Sequence, residues 1–152
     1  MSDLVQFDDI AVGDRVVSGR RTITDADILA FAGVSGDFNA LHMDDIFARD
    51  ETPFGKRIAH GLLGVAVGSG LHSELDRWYI LAYLECRRTF RKPIFAGDTI
   101  HVTYEVTETR ASRSKTDRGV VTMQVELLNQ DGEVLQSGVD VIMIGRRPEG
   151  GA

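Results

Sequence analysis

The sequence has very little cysteine. Cys86 is the single cysteine among 152 residues, so no disulfide can form within the chain and no cysteine-rich zinc or iron–sulfur site is possible. One unpaired thiol is typical of a reducing, cytoplasmic compartment. Because Cys86 falls in a segment that predicts a strand, we expect a buried, unreactive thiol there.

Proline and long apolar runs are scarce as well. Three prolines against sixteen glycines exclude collagen-like and proline-rich disordered chains. The most apolar stretch, residues 61–71, is far shorter than the roughly 20 residues that a membrane-spanning helix needs. The first nine residues are acidic and contain no apolar run, so we expect no signal or transit peptide and no membrane segment.

Positive charge is in deficit. Lys and Arg total 17 against 23 Asp and Glu, giving a formal net charge of −6. Nucleic-acid binding needs clustered cations, so this balance argues against it. The chain is 43% hydrophobic and 26% charged, which is the composition of a globular protein, and its length suits one domain with a real core.

The first half of the chain carries helix signals. Residues 15–24 predict a first strand. Thr24 then begins a helix, because its hydroxyl can accept hydrogen bonds from the free amides of a first turn. Gly33 and Gly36 are expected to end that helix, and a short helix is predicted over residues 44–50.

The glycine-rich segment near residues 61–75 predicts a long helix at the centre of the molecule. Each glycine costs a helix up to about 1 kcal/mol relative to alanine, so tertiary packing must hold it. The segment is hydrophobic nearly all round, which predicts complete burial.

Alternation of apolar and polar residues marks strands in the second half, as in residues 100–107 and 121–127. Residues 80–90 and 135–143 predict further strands, with a hairpin turn at 129–132. About five mostly consecutive strands against a buried helix predict an α+β fold with an antiparallel sheet. One helix covers only part of so wide a sheet, so we expect a second copy of the chain to complete the burial.

Residues that could carry chemistry cluster between 35 and 60. Asp37 and His42 flank a short segment in which Gly36 and Asn39 tolerate unusual backbone angles. A carboxylate and an imidazole that share a water can act as general base and general acid. Alternatively, Asp37 and Asn39 merely build an Asx turn and His42 caps the next helix.

Metal binding is a further alternative. The candidate ligands are His42, Asp44, Asp45 and His60. Their spacing matches no zinc motif, so we expect no metal.

A serine nucleophile is also conceivable at Ser35 or Ser69. The Gly-x-Ser-x-Gly elbow is absent, and Ser69 is expected to pack within the apolar helix and bond back along it. The remaining histidines have structural interpretations. His60 is expected to end a polar loop, His72 to lie at the polar end of the long helix, and His101 to lie on a strand surface.

Gly61 stands at the start of the long helix. The first amides of a helix lack internal partners and carry positive partial charge. A substrate carbonyl placed there would be stabilised as it becomes an enolate. The alternative is that Gly61 only permits a tight turn into a buried helix.

Residues 35–42, SGDFNALH, resemble the signature of the MaoC-like (R)-specific enoyl-CoA hydratases, Ser/Thr-Gly-Asp-x-Asn-Pro-aliphatic-His. Residues 58–61 (IAHG) and 95–99 (FAGDT) are also similar to segments of that family. The likeness covers about residues 8–145. It implies a single hot-dog domain over residues 1–152, with an antiparallel sheet wrapped around a central buried helix, and a homodimer or a larger assembly of dimers.

The resemblance implies that the protein reversibly adds water to a 2-enoyl-CoA thioester to give the (R)-3-hydroxyacyl-CoA. In that family's terms, Asp37 and His42 activate the water and the Gly61 amide polarises the thioester carbonyl. Asn39 would hold the loop or the water, and Ser69 would lie near the site.

No metal or redox cofactor is implied, because coenzyme A is part of the substrate. Its phosphates need local cations. The candidates are Arg87, Arg88, Arg91 and Lys92, or Arg110, Arg113 and Lys115, and either cluster could instead be a solvated strand end or loop. Ala40 stands where the family usually has proline, which should loosen the loop slightly and removes no chemical group.

Two rival functions stay open. A hot-dog acyl-CoA thioesterase would need a carboxylate or nucleophile on the long helix, and residues 61–72 contain no Asp or Glu. A non-catalytic acyl-thioester-binding subunit would not need Asp37 and His42 together.

Overall fold

The computed structural model describes residues 3–147. In chain order the helices and strands are β1 (Arg15–Val17), β2 (Arg21–Thr22), α1 (Asp25–Ser35), α2 (Ala40–Met43), α3 (Asp45–Asp50), α4 (Gly61–Ser69), β3 (Ile80–Phe90), β4 (Thr99–Ala111), β5 (Arg118–Leu128) and β6 (Val134–Gly145). Two short 3-10 helices, Phe7–Asp9 and Glu74–Arg77, complete the assignment.

The strands form an antiparallel sheet in the order β1-β4-β5-β6-β3, with β2 also paired to β4. The predicted α+β class is therefore confirmed. The alternation seen in the sequence gives the buried face, since Ile100, Val102, Tyr104 and Val106 of β4 are all buried. The predicted hairpin joins β5 to β6, and its turn is held by the Asn129 side chain, whose Oδ1 accepts the amides of Asp131 and Glu133.

The beginning of the chain departs from the single strand predicted over residues 15–24. Two short strands replace it, because the backbone leaves β1 after Val17. Ser18 hydrogen-bonds Val102 through both its amide and its hydroxyl. The Gly19 amide then donates to the His72 carbonyl, 2.8 Å away, so this stretch of backbone leaves the ladder before β2 begins.

Thr24 caps α1 as predicted. Its hydroxyl accepts the Asp27 amide and the Asp27 carboxylate accepts the Thr24 amide, which completes a capping box. The helix ends at Gly36, whose φ of 78° is the left-handed conformation that glycine adopts without strain. Gly33, expected to help end this helix, instead lies inside it.

The glycine-rich helix differs from its prediction in two ways. It is nine residues long and ends at Ser69, so α1, with eleven residues, is longer. Its C-cap is Gly70, whose amide donates to the Val67 carbonyl in a tighter turn, and Ser73 then caps the 3-10 helix that follows. It is also buried on one side only: Leu63 faces the core, whereas Leu62 is 63% exposed. Within one chain the sheet covers a single face of α4, so the expectation of complete burial is wrong.

Small residues bring α4 very close to the sheet. A Cβ on Gly64 would lie 2.4 Å from Ile94 Cδ1 and 2.6 Å from Gln136 Nε2. The helix axis could not approach β6 this closely with a larger residue at that position.

Strand β3 lies at the edge of the sheet and pairs with β6. It carries exposed apolar side chains, namely Ile80, Leu81, Tyr83, Leu84 and Phe90. Cys86 is exposed on this strand, which corrects the expectation of a buried thiol and results from the edge position. Desolvation nevertheless raises the pKa of the Cys86 thiol, so the reactive thiolate is disfavoured.

No helix within residues 3–147 has the length and apolarity needed to cross a membrane.

Candidate active site

The loop between α1 and α2 presents the Asp37 carboxylate. Asp37 Oδ1 accepts the Asn39 amide at 3.2 Å, and Asn39 Oδ1 accepts the Leu41 amide at 2.9 Å, which makes Asn39 the N-cap of α2. The predicted Asx turn is therefore present. Its bonds use only one Asp37 oxygen, and the side chain is 51% exposed, so Oδ2 remains open to a substrate or a water.

His42 lies within α2 and does not cap a helix, since Asp44 is the N-cap of α3. The imidazole is buried, and its Nδ1 lies 2.7 Å from the Ile58 carbonyl oxygen. A carbonyl can only accept, so Nδ1 donates and the neutral ring presents a lone pair at Nε2. That nitrogen faces Asp37 Oδ2 at 3.8 Å.

This spacing defines what the pair can do. A separation of 3.8 Å is too long for a direct hydrogen bond. Both groups are acceptors when the ring is neutral, so one water can donate a proton to each of them. The geometry thus favours a bridging water with its oxygen lone pairs free to react.

His60 has a larger part in the site than the sequence predicts. It does end a loop, as the N-cap residue of α4, but it is buried, with only 4% of its surface exposed. Its Nε2 lies 2.9 Å from the Asp37 carbonyl oxygen, and its ring stacks on that of His42 with centroids 3.8 Å apart and an angle of 27°. The sequence feature that could have predicted the burial of His60 is its apolar surroundings, with Ala59 before it and Leu62 after Gly61.

Gly61 begins α4 directly after His60. Its carbonyl accepts a hydrogen bond from Gln136 Nε2 at 2.8 Å. The Phe90 ring packs against it so closely that a Cβ would lie 2.7 Å from Cε1. The Leu63 amide of this first turn donates to the His60 carbonyl at 3.0 Å, which leaves the amides of Gly61 and Leu62 to meet a ligand.

A cavity of about 420 Å³ opens beside these residues. His42 and Gly61 both line it, and so do Arg91 and Lys92. Most of the remaining wall is apolar and is formed by Leu41, Phe54, Ile58, Ala59, Leu62, Phe90, Pro93 and Ile94. An apolar chain with a polar head therefore suits this cavity.

The candidate phosphate ligands are not equivalent in the structure. Arg88 forms a bidentate pair with the buried Asp140, at 2.6 and 2.9 Å, and Arg87 pairs with Glu85. The second cluster, Arg110, Arg113 and Lys115, lies at the other end of β4 and in the loop after it. Only Arg91 and Lys92 of the two clusters line the cavity.

Asp37, His42 and His60 also have potential metal-ligating atoms within 4.8 Å of one another. The two imidazoles are stacked, however, and lone pairs that lie in nearly parallel ring planes do not converge on one ion. Asp44 caps α3 and Asp45 pairs with Arg57 at 2.6 Å, so neither joins the histidines. The expected absence of a metal stays a prediction.

Ser69 and the outer histidines lie away from the Asp37–His42 pair, whereas the Ser35 hydroxyl accepts the Asp37 amide at 3.2 Å. Ser69 is exposed at the last residue of α4, bonds back to the Ala66 carbonyl at 2.9 Å, and lies about 12 Å along the helix from Gly61. Ser35 bonds back to Phe31. His72 lies beyond the end of α4, exposed and paired with Asp76. His101 is half-buried on β4.

Comparison with known proteins gives consistent matches. Residues 10–128 match the family model described as MaoC like domain. The chain is 33% identical over 119 residues to an (R)-specific enoyl-CoA hydratase of Aeromonas caviae, covering 78% of this chain and 84% of that protein. It is 40% identical over 97 residues to Protein MaoC of Klebsiella aerogenes, covering 63% of this chain but only 29% of that relative.

Solved structures agree on the fold. A MaoC-like dehydratase of Rhodospirillum rubrum aligns with a TM-score of 0.80 and 32% identity, over 95% of this chain and 99% of that one. A Mycobacterium tuberculosis protein with a double hot-dog fold aligns with a TM-score of 0.78 and 19% identity, over 100% of this chain and 47% of that one. At that identity the second match concerns the fold alone, and the expected hot-dog fold is confirmed.

Proposed function

The chain belongs to the MaoC-like domain family of hydratases and dehydratases, and from that premise we propose that it reversibly adds water to a 2-enoyl-CoA thioester to give the (R)-3-hydroxyacyl-CoA. The observation that carries this proposal is the placement of Asp37 Oδ2 and His42 Nε2, two acceptors 3.8 Å apart beside an apolar cavity.

Asp37 and His42 act together on one water. The water oxygen attacks the β-carbon of the enoyl thioester while the pair accepts one of its protons. The pair then returns a proton to the α-carbon, so the net change is addition of one water across the double bond. General acid–base help of this kind contributes about 10²–10⁴-fold.

Gly61 supplies the second part of the chemistry. As the water attacks, negative charge moves onto the thioester oxygen, and an amide of the first turn of α4 stabilises it. Gly61 and His42 line the same cavity, which lets one substrate reach both. Asn39 acts indirectly by shaping the loop that carries Asp37.

No metal or redox cofactor is needed for this reaction, because the thioester itself makes the β-carbon electrophilic. The carrier's phosphates are proposed to meet Arg91, whose Nε bonds the neutral Ser137 hydroxyl at 2.6 Å. Lys92 lines the same cavity while it pairs with Glu133 at 2.5 Å. A cytoplasmic location remains a prediction from the single unpaired thiol.

A second copy of the chain is proposed to pair through β3. This edge strand carries the exposed apolar residues named above, and α4 exposes Leu62 beside it. Phe90 belongs both to this surface and to the cavity wall, so the site would border the partner. Sedimentation at micromolar concentration should show a dimer or a multiple of it, and a monomer would contradict this pairing.

The test of the activity uses crotonyl-CoA. The absorbance of the conjugated thioester should fall without release of free thiol, and chiral analysis should find the (R)-3-hydroxy product. We expect Asp37→Asn and His42→Ala each to lower the rate at least about 10²-fold. Asp50→Asn is the matched control, since Asp50 is 48% exposed and lies on α3 outside the cavity.

The rival functions give different results in the same assay. Thiol release would identify a thioesterase. Binding of acyl-CoA without either signal, over a panel of chain lengths, would identify a binding subunit. Near-normal hydration by either site variant would overturn the roles of Asp37 and His42.

A further inference from the structure

His60 is a buried titratable residue that has no role in the proposed hydration reaction. Only 4% of it is exposed, and an imidazole so far from water needs a structural reason to be there. Although it is the N-cap residue of α4, its side chain makes no capping bond to that helix. Instead its Nε2 bonds the Asp37 carbonyl oxygen, 23 residues away in the sequence.

The hydrogen bond from His60 connects the loop between α1 and α2 to a residue outside that loop. Within the loop, Asp37 is held by short-range contacts: its Oδ1 accepts the Asn39 amide and its own amide donates to the Ser35 hydroxyl. Both are exposed contacts between near neighbours, which fix the shape of the turn but not its place relative to His42. The bond from His60 connects the turn to the start of α4.

The His60 ring also sets the place of His42. The two rings stack with centroids 3.8 Å apart, and Phe31 of α1 packs against His60 at 5.1 Å. The bond from Nδ1 of His42 to Ile58 fixes the direction of its ring plane, and the stacking limits its tilt. A single side chain therefore touches both members of the proposed catalytic pair.

We propose that His60 is the positioning residue that holds Asp37 Oδ2 and His42 Nε2 at water-bridging distance and ties both to the first turn of α4. This inference rests on the proposed function, because it concerns the geometry of that site. The protonation of the two His60 ring nitrogens agrees with this role. A carbonyl accepts the proton of His60 Nε2, which leaves Nδ1 as the bare nitrogen, and Nδ1 is buried without a partner among residues 3–147.

Three variants separate the two contacts. His60→Phe keeps a ring for stacking but has no donor for the Asp37 carbonyl. His60→Gln keeps a donor but has no ring, and His60→Ala has neither. His72→Phe is the matched control, because the His72 side chain is 92% exposed and lies outside the cavity.

We expect His60→Phe to lower kcat by roughly 10²-fold, since displacement by about 1 Å at a reacting group can cost that much. KM should change by less than about threefold, because the cavity wall is intact. His60→Gln should recover about tenfold of this loss. In an Asp37→Asn background, His60→Phe should have almost no further effect on kcat, because its contribution passes through Asp37.

A merely structural role would lower the melting temperature of all three variants while kcat at permissive temperature stayed normal, and that result would overturn the proposal. So would additive losses in the Asp37→Asn background. The side-chain NMR signal of the His42 Nδ1 proton gives an independent reading. We expect it to shift in His60→Gln, which has no ring to stack on His42, and to stay in place in His72→Phe.

The NMR reading also separates this inference from the proposed function. A wild-type protein that hydrates no enoyl thioester would overturn the proposed function alone. The positioning role would then be tested by the His42 signal, and an unmoved signal in His60→Gln would refute it.

Discussion

Replacing Gly64 with alanine should destabilise this protein, although alanine is the better helix former. The added Cβ would lie 2.4 Å from Ile94 Cδ1 and 2.6 Å from Gln136 Nε2. Both neighbours are buried, at 3% and 2% exposure, so they can move only toward the cavity that they line. The hydrogen bond from Gln136 to the Gly61 carbonyl would be displaced at the same time.

The sizes of the opposing contributions decide whether Gly64→Ala stabilises or destabilises the protein. Alanine gains up to about 1 kcal/mol in helix propensity. Overpacking a dense core costs about 1–3 kcal/mol, and a buried amide that loses its partner costs about 1–3 kcal/mol more. We expect the free energy of unfolding to fall by about 2 kcal/mol, which corresponds to roughly 4–8 °C in Tm for a chain of this size. Hydration should slow too, because the displaced side chains enter the cavity.

Gly33→Ala is the matched control. Gly33 lies within α1, and a Cβ there would meet nothing within 4 Å, so alanine should stabilise the protein by about 0.5–1 kcal/mol. Urea unfolding of both variants and the wild type would be followed at one fixed protein concentration, since association adds to apparent stability. The close approach of α4 to β6 would be refuted if Gly64→Ala were as stable as Gly33→Ala.

Three further perturbations test other parts of the fold. Desolvation raises the pKa of Tyr104 to about 12, above the value of about 10 in an unfolded chain. The stability that this phenol contributes is complete below about pH 10 and is lost as the pH rises toward about 12, so Tyr104→Phe should flatten the alkaline fall in Tm. Asp140→Asn leaves the Arg88 guanidinium, 12% exposed, without its carboxylate. This change should cost about 3–5 kcal/mol in urea unfolding, whereas the double variant that combines Arg88→Met with Asp140→Leu should cost less, because it leaves no buried charge unpaired. Thr24→Ala removes the cap of α1 and should cost about 1 kcal/mol by the same measurement.

Local patterns predict much of this molecule. Strand β3 has the predicted bounds of residues 80–90. Strands β4 and β5 contain the alternating residues 100–107 and 121–127, and such alternation is a property of the segment itself. The start of α1 at Thr24 depends on a side chain and an amide three residues apart. The segment holding Asp37 and His42 is likewise identified from its own residues, and the structure brings those two side chains to the same place.

The features that local patterns miss depend on distant neighbours. The burial of His60 results from packing against His42 and Phe31, which no spacing within its own segment encodes. The exposure of Cys86 and the half-exposed helix α4 result from which faces the rest of one chain can cover. The hydrophobicity of a segment indicates that its side chains favour burial. It does not indicate which helix or strand will cover them.

The pairing of β3 with β6 has a consequence for synthesis on the ribosome. Among the strands of residues 3–147, β3 is the first long strand made and its partner β6 is the last. While β4 and β5 emerge and form their hairpin, β3 has no partner strand in its own chain. Its apolar side chains are then exposed, and such a state is prone to aggregation. Because the pairing of β3 with β6 spans so much of the chain, a nascent polypeptide interrupted before Val134 would leave β3 unpaired within its own chain. Completion of β6 is then the event that commits the sheet to its native order.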